Sequence, residues 1–238
     1  MTDVQPSPPP AARRVGPPVL LGLRPRFLDR ATIVARLDQR IRALALWGPL
    51  ARGEADEWSG IDFVATVADE SVGEFLDELT RGDTLYGKSL VALRMPQHGV
   101  AGGGFVSVTY LQSGLPLHVD WYVSPLSLGI PVGDTKPLFV RDGWPHSGAS
   151  FAELLRERPS RESCSPPRWD RVVSTIPVQV AEVARGRPEA VRDARRPMRD
   201  RTEAYAALAR RIGSLPARYR DALPPLFSQL GVARLLNR

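Results

Sequence analysis

The chain of 238 residues holds one cysteine, Cys164, and three histidines. That excludes an internal disulfide and a cysteine-built zinc site, and leaves little for a His-rich metal centre. A reducing compartment is the simplest reading. Lysine is nearly as scarce: of 32 basic residues only Lys88 and Lys136 are lysines, and the rest are arginines. With abundant Ala, Gly and Pro, this skew reads as a GC-rich coding bias rather than as selection for gripping phosphates. No segment approaches the roughly 18 uninterrupted apolar residues of a membrane span. The start of the chain (Pro6, Pro8, Pro9, Pro10, Pro17, Pro18) lacks the long apolar stretch that a secretory signal needs. A cytoplasmic protein with no membrane partner is expected.

What is present is ordinary globular composition, 43% apolar and 24% charged, ample for one large domain or two small ones. The formal charge of +6 is unevenly spread: residues 151–238 carry 18 basic and 10 acidic side chains, residues 1–150 carry 14 and 16. The most basic stretch, Arg185 to Arg211, is accompanied by Glu182, Glu189, Asp193, Asp200 and Glu203. Their spacing favours intrahelical pairs on a solvated face over a grip on nucleic acid.

Three regions follow: a disordered Pro-rich leader over 1–22, an α+β domain over 23–146 and an Arg-rich helical domain over 147–238. In the middle region a helix is predicted from Phe27 to about Arg42, and another from Ser71 to Arg81. Strands are predicted at Ala43–Trp47, Ile61–Val67, Ser89–Arg94, Gly104–Leu111 and Leu117–Val123. Gln112-Ser113-Gly114-Leu115-Pro116 has the chemistry of a hairpin loop joining the last two. Gly102-Gly103-Gly104 precedes a strand rather than opening a helix, so it reads as a flexible turn and not a phosphate loop. Further helices are predicted at Val178–Arg185, Glu189–Arg210 with a break near Pro197, and Leu223–Leu236. The fold class is α+β, a mixed sheet with flanking helices followed by a helical module.

The informative stretch is Leu46-Trp47-Gly48-Pro49-Leu50-Ala51-Arg52-Gly53, then Glu54-Ala55-Asp56-Glu57-Trp58-Ser59-Gly60, then Ile61-Asp62-Phe63. A strand ends in glycine, a turn and short helix follow, and the next strand carries an acid. Leu117-His118-Val119-Asp120-Trp121-Tyr122-Val123 later places a second acid on an apolar strand. This order resembles the core of the nucleotidyltransferase superfamily, of the antibiotic-modifying (aminoglycoside and lincosamide) type. There the pattern is strand, Gly-Ser, Asp-x-Asp on the next strand, and a third carboxylate on a later one.

The resemblance implies a nucleotidyltransferase-type sheet, Mg²⁺ and a nucleoside triphosphate as cofactors, and transfer of a nucleoside monophosphate to a hydroxyl of a small molecule. Carboxylates converging on paired metals are what that chemistry requires. Asp62 and Asp120 correspond to metal-holding, catalytic acids. Gly48 and Arg52 correspond to the phosphate-binding turn and its helix. His118, two residues before Asp120 and on the same strand face, is a candidate ligand or base. Lys88, after Tyr86-Gly87, is a candidate phosphate contact, and Asp56 and Glu57 could complete a metal site from the connecting loop. Against each stands a plainer role: a sheet histidine for His118, a salt bridge with Glu54 or Asp56 for Arg52, a surface lysine for Lys88, a solvated loop for Asp56 and Glu57. The segment Asp134 to Gly143 is assigned no chemistry.

Two residues depart from the pattern. Gly60 stands where the first aspartate of Asp-x-Asp belongs, and Pro49, with neither hydroxyl nor N–H, stands where the serine belongs. Together they remove a metal ligand and a phosphate donor from one site. The expected function is therefore nucleotidyl transfer to an antibiotic-type acceptor with an impaired or altered metal site. The alternative is a pseudoenzyme or repurposed member that binds a small ligand or partner, or performs triphosphate-independent chemistry in specialised metabolism. Partners are expected to be small molecules and a nucleotide, not nucleic acid.

Overall fold

A computed structural model describes residues 18–141, 143, 145–193 and 196–223. The chain opens with helix α1 (Pro18–Leu37), strand β1 (Ile41–Trp47), the short helix α2 (Gly48–Arg52), strand β2 (Ile61–Val67) and helix α3 (Val72–Leu79). Strands β3 (Asp83–Thr84), β4 (Gly87–Arg94), β5 (Gly104–Gln112), β6 (Leu115–Pro125) and β7 (Lys136–Val140) follow. Helices α4 (Phe151–Glu157) and α5 (Arg168–Ala184), a small hairpin of β8 (Arg192–Asp193) and β9 (Arg196–Pro197), and helices α6 (Arg201–Gly213) and α7 (Ala217–Arg220) complete the described chain.

The architecture is mixed α+β. Seven strands form one sheet in the order β3-β4-β5-β6-β2-β1-β7, in which β2 and β6 run parallel and the other neighbours antiparallel. Alternation along the strands divides the two faces. Ile61, Phe63, Ala65 and Val67 of β2 and Leu117, Val119, Trp121 and Val123 of β6 pack with Phe27 of α1 and Phe75, Leu76 and Leu79 of α3. The intervening residues face the other way. There Val64 and Tyr122 meet Phe151 and Leu154 of α4, while Val91 and Leu93 of β4 share a core with Val173, Ile176, Val180 and Val183 of α5 and Leu208 and Ile212 of α6.

Five sequence expectations need correction. Helix α1 begins at Pro18 and ends at Leu37, so residues 18–22 belong to a helix and not to the leader, and residues 38–42 lie outside it. The hairpin between β5 and β6 turns on Ser113-Gly114 alone, both with positive φ as a two-residue type I′ turn requires, so Leu115 and Pro116 are strand. The Gly102–Gly104 run is packed rather than loose: a side chain on Gly103 would collide with the Val123 carbonyl, and one on Gly104 with Leu76. Helix α5 starts ten residues before the predicted Val178. Within the stretch 189–200, predicted helical, Glu189 and Ala190 lie in a turn and Arg192–Asp193 pairs with Arg196–Pro197, because Gly186, Pro188 and Pro197 punctuate it. The leader residues 1–17 and nearly all of the predicted helix Leu223–Leu236 lie outside the described residues. Among the described residues no helix is long and apolar enough to cross a membrane.

Candidate functional site

Because β2 and β6 pair in parallel with Asp62 opposite Asp120, the two acids sit side by side on the face turned towards α5. The same register sets position 60 beside His118. With α5 above them these residues line a cavity of about 300 Å³, whose floor is Asp62, His118 and Asp120 and whose roof includes Pro177, Val178 and Ala181. Pro49, Trp58 and Ser59 close one side.

Gly48 ends β1 with a left-handed φ of 67°, and a side chain there would stand 2.7 Å from Asp62 Oδ2. Only glycine both makes the turn and leaves room for the carboxylate. Gly60 is constrained from the opposite side: a Cβ there would lie 3.0 Å from the His118 carbonyl and 3.4 Å from its imidazole Cδ2. The main chain at His118 thus leaves little room for a side chain at position 60.

His118 Nε2 lies 3.2 Å from Asp120 Oδ1, an ion-pair distance. Neither that oxygen nor His118 Nδ1 has a hydrogen-bond partner, although both are buried. Burial opposes charge on both groups, but each is overridden by its neighbour: the charges of Asp120 and Asp62 raise the His118 pKa, and the charge of His118 lowers that of Asp120. Asp62 behaves differently. Burial and then the charge of Asp120 push it up to about 6, against weaker opposing effects of His118 and Arg52. The floor therefore sets His118, its charged form favoured by Asp120, beside a carboxyl pushed up to about 6, the kind of group suited to giving or taking a proton.

The chain matches no protein-family model, and no curated protein matches it either.

The remaining predicted residues divide between the cleft and other places. Arg52 is exposed and pairs with Glu54 at 2.7 Å, the salt-bridge role. Lys88 lies on β4, separated from β6 by β5, and lines a different hollow with Arg218 and Tyr219. Asp56 is not a solvated loop acid: Arg185 of α5 donates to both of its oxygens at 2.7 and 2.6 Å, and Ser59 Oγ donates to one of them at 2.8 Å. Arg185 holds its carboxyl well below the usual range despite some burial, and the carboxylate is fully engaged away from Asp62. Glu57 does line the cleft. Asp134 carries structure: it accepts from Trp47 Nε1 at 2.9 Å and from the backbone N–H groups of Phe151 and Ala152 at the start of α4.

Sequence reasoning missed Arg24, Arg185 and the apolar roof of α5. Arg24 donates to the carbonyls of Asp56 and Ser59, so with Arg185 it fixes the loop that leads into β2.

The resemblance implies Mg²⁺ at Asp62 and Asp120. Hard cations such as Mg²⁺ take oxygen ligands in near-octahedral array, whereas imidazole suits softer transition metals. Here two carboxylates are accompanied by an imidazole that is paired with one of them. Among the described residues no three His, Cys, Asp or Glu side chains converge as a metal-holding group. The residues do not fit a magnesium pair.

Proposed function

We propose that this chain is a nucleotidyltransferase-type protein whose cleft binds a small molecule and has been turned from Mg-triphosphate chemistry to metal-independent proton exchange. The order of landmarks supports the type: the Gly48 turn, the β2 acid and the β6 acid meet at one cleft. The single observation that carries the change of use is His118, whose side chain pairs with Asp120. A cation at Asp120 would have to displace it. Pro49 at the rim offers no N–H to a phosphate. What the cleft retains is Asp62, a carboxyl able to take a proton from a bound molecule or return one, beside the paired His118 and Asp120.

One observation favours nucleotidyl transfer instead: Asp62 and Asp120 stand directly opposite each other in parallel register. Calorimetry and thermal shift with ATP, GTP, CTP and UTP, each with and without Mg²⁺, decide between the two. A protein using a triphosphate gains RT ln(1 + [L]/Kd), about 2.7 kcal/mol at a hundredfold excess over Kd. We expect no magnesium-dependent stabilisation by any of the four. Stabilisation that requires Mg²⁺ and disappears in Asp120→Asn would overturn the proposal. If the altered centre is the cause, Gly60→Asp with Pro49→Ser restores binding only when His118→Ala is added to release Asp120.

A further inference from the structure

Above pH 6 the floor of the cleft carries two carboxylates, and His118, 3.2 Å from Asp120, neutralises at most one of them. The two guanidinium groups that reach the cleft are spent elsewhere. Arg185 holds Asp56 and Glu182, and Arg24 holds two loop carbonyls. The opposite wall is apolar, formed by Pro177, Val178, Val180 and Ala181 of α5, and Val178 is 43% exposed although it is aliphatic. A cavity of about 300 Å³ is at the lower end of small-molecule sites. An anionic floor short of donors beneath an apolar roof is complementary to one chemistry: a positively charged nitrogen bearing N–H donors on a short apolar body.

We propose that the cleft takes a small organic ammonium ion, a primary or secondary amine whose N–H groups meet Asp62 and whose apolar body lies along α5. This assigns a ligand class to the cleft of the preceding section and rests on that reading. The charged groups around Asp62 are Asp120 and His118 from β6, Arg52 from α2, Glu57 from the loop, Arg24 from α1 and Arg185 from α5. Since Asp62 titrates at about 6, the amine-competent form falls away in acid. Affinity for an amine that stays charged throughout should drop about tenfold between pH 7.5 and pH 5.0, following the ionised fraction of Asp62. Loss of the His118 charge at higher pH leaves the floor more negative and acts in the same direction.

Three probes of matched shape test this on the full chain by NMR: 2-phenylethylamine, 2-phenylethanol and 3-phenylpropionate, titrated while the Val178, Ala181 and Asp62 signals are followed. We expect the amine to bind about fivefold or more tighter than the alcohol at pH 7.5. The amine should also lose about tenfold on going to pH 5.0, and the carboxylate should leave the cleft signals unmoved. In Asp62→Asn the amine and alcohol should bind alike and the pH step should vanish. The alcohol or carboxylate binding as well as the amine, an amine affinity indifferent to pH, or no probe moving the cleft signals would each overturn the proposal. None of these outcomes touches the preceding reading, which fails only on magnesium-dependent nucleotide binding, so the two failures are distinct. The wild-type pH series stands without any variant.

Discussion

At Asp62 the protein accepts a cost that pH can reveal. Its carboxyl has an ordinary value of 3.8 and one of about 6 in the folded chain. The folded state thus holds this proton more tightly than the unfolded one. Stability from this group is present in acid and is lost as pH rises from about 4 to about 6, leaving a deficit of about 2–3 kcal/mol at neutrality and above. Asp62→Asn, similar in shape but unable to ionise, should therefore be about 2–3 kcal/mol more stable than wild type at pH 8 and within about 0.6 kcal/mol of it at pH 4. Urea midpoints at the two pH values read the difference directly. An advantage of equal size at both pH values would show that the effect is packing and not charge. This residue was legible in the sequence because an acid in Ile61-Asp62-Phe63-Val64 breaks an apolar strand, and Asp120 was legible for the same reason. The partnership of Gly60 with His118 was not. It depends on β2 lying parallel to β6 in the register that sets 61 against 119, which no local pattern specifies. Lys88 misled for the same reason: strand order, not chain position, decides what reaches the cleft.

Among the elements, the loop of residues 53–60 shows how much depends on contacts distant in sequence. It carries the chain from α2 to β2 and so sets where Asp62 begins, yet it contains no regular structure. Its hold comes from Arg185, 129 residues away from Asp56, and from Arg24, 32 residues before it. Composition alone shows an acidic loop, and an acidic loop reads as solvated. Only the docking of α5 turns Asp56 into an anchor. Charge-assisted bonds in a partly buried fork contribute about 1–3 kcal/mol in total once exposure is allowed for. Arg185→Ala should lower stability by about that amount and speed amide exchange in residues 54–60 while leaving β4 and β5 protected. Arg185→Lys keeps the charge but not the fork, and should recover only part of the loss. If exchange in the loop stays at the wild-type rate in Arg185→Ala, the loop is held by something other than this anchor.

For the whole molecule, the question is whether the sheet and the helices after residue 146 are two units or one. Composition suggests two, because the strand signal stops and the basic charge begins at about that point. The packing argues for one. Val91 and Leu93 of β4 lie in the same core as Val173, Ile176, Val180 and Val183 of α5, and the cleft exists only because α5 roofs the sheet. Removing the helices would bare a contiguous apolar face, the kind that drives aggregation. Ile176 is fully buried in this shared core, and Ile176→Ala should cost about 2–5 kcal/mol through lost contacts and the cavity left behind. If sheet and helices unfold as one cooperative unit, the loss should appear identically in two signals during urea unfolding. One is helical ellipticity, dominated by α1, α5 and α6; the other is emission from Trp121, which is buried on the opposite face of the sheet against Phe63 and Tyr86. A variant retaining Trp121 as its sole tryptophan isolates that emission. A shift confined to ellipticity, with the Trp121 transition staying at its original midpoint, would mean that the helices unfold on their own and that the cleft opens before the sheet does. Coincident shifts would mean that the cleft persists as long as the fold does, so that any ligand bound beneath α5 stabilises the entire described chain.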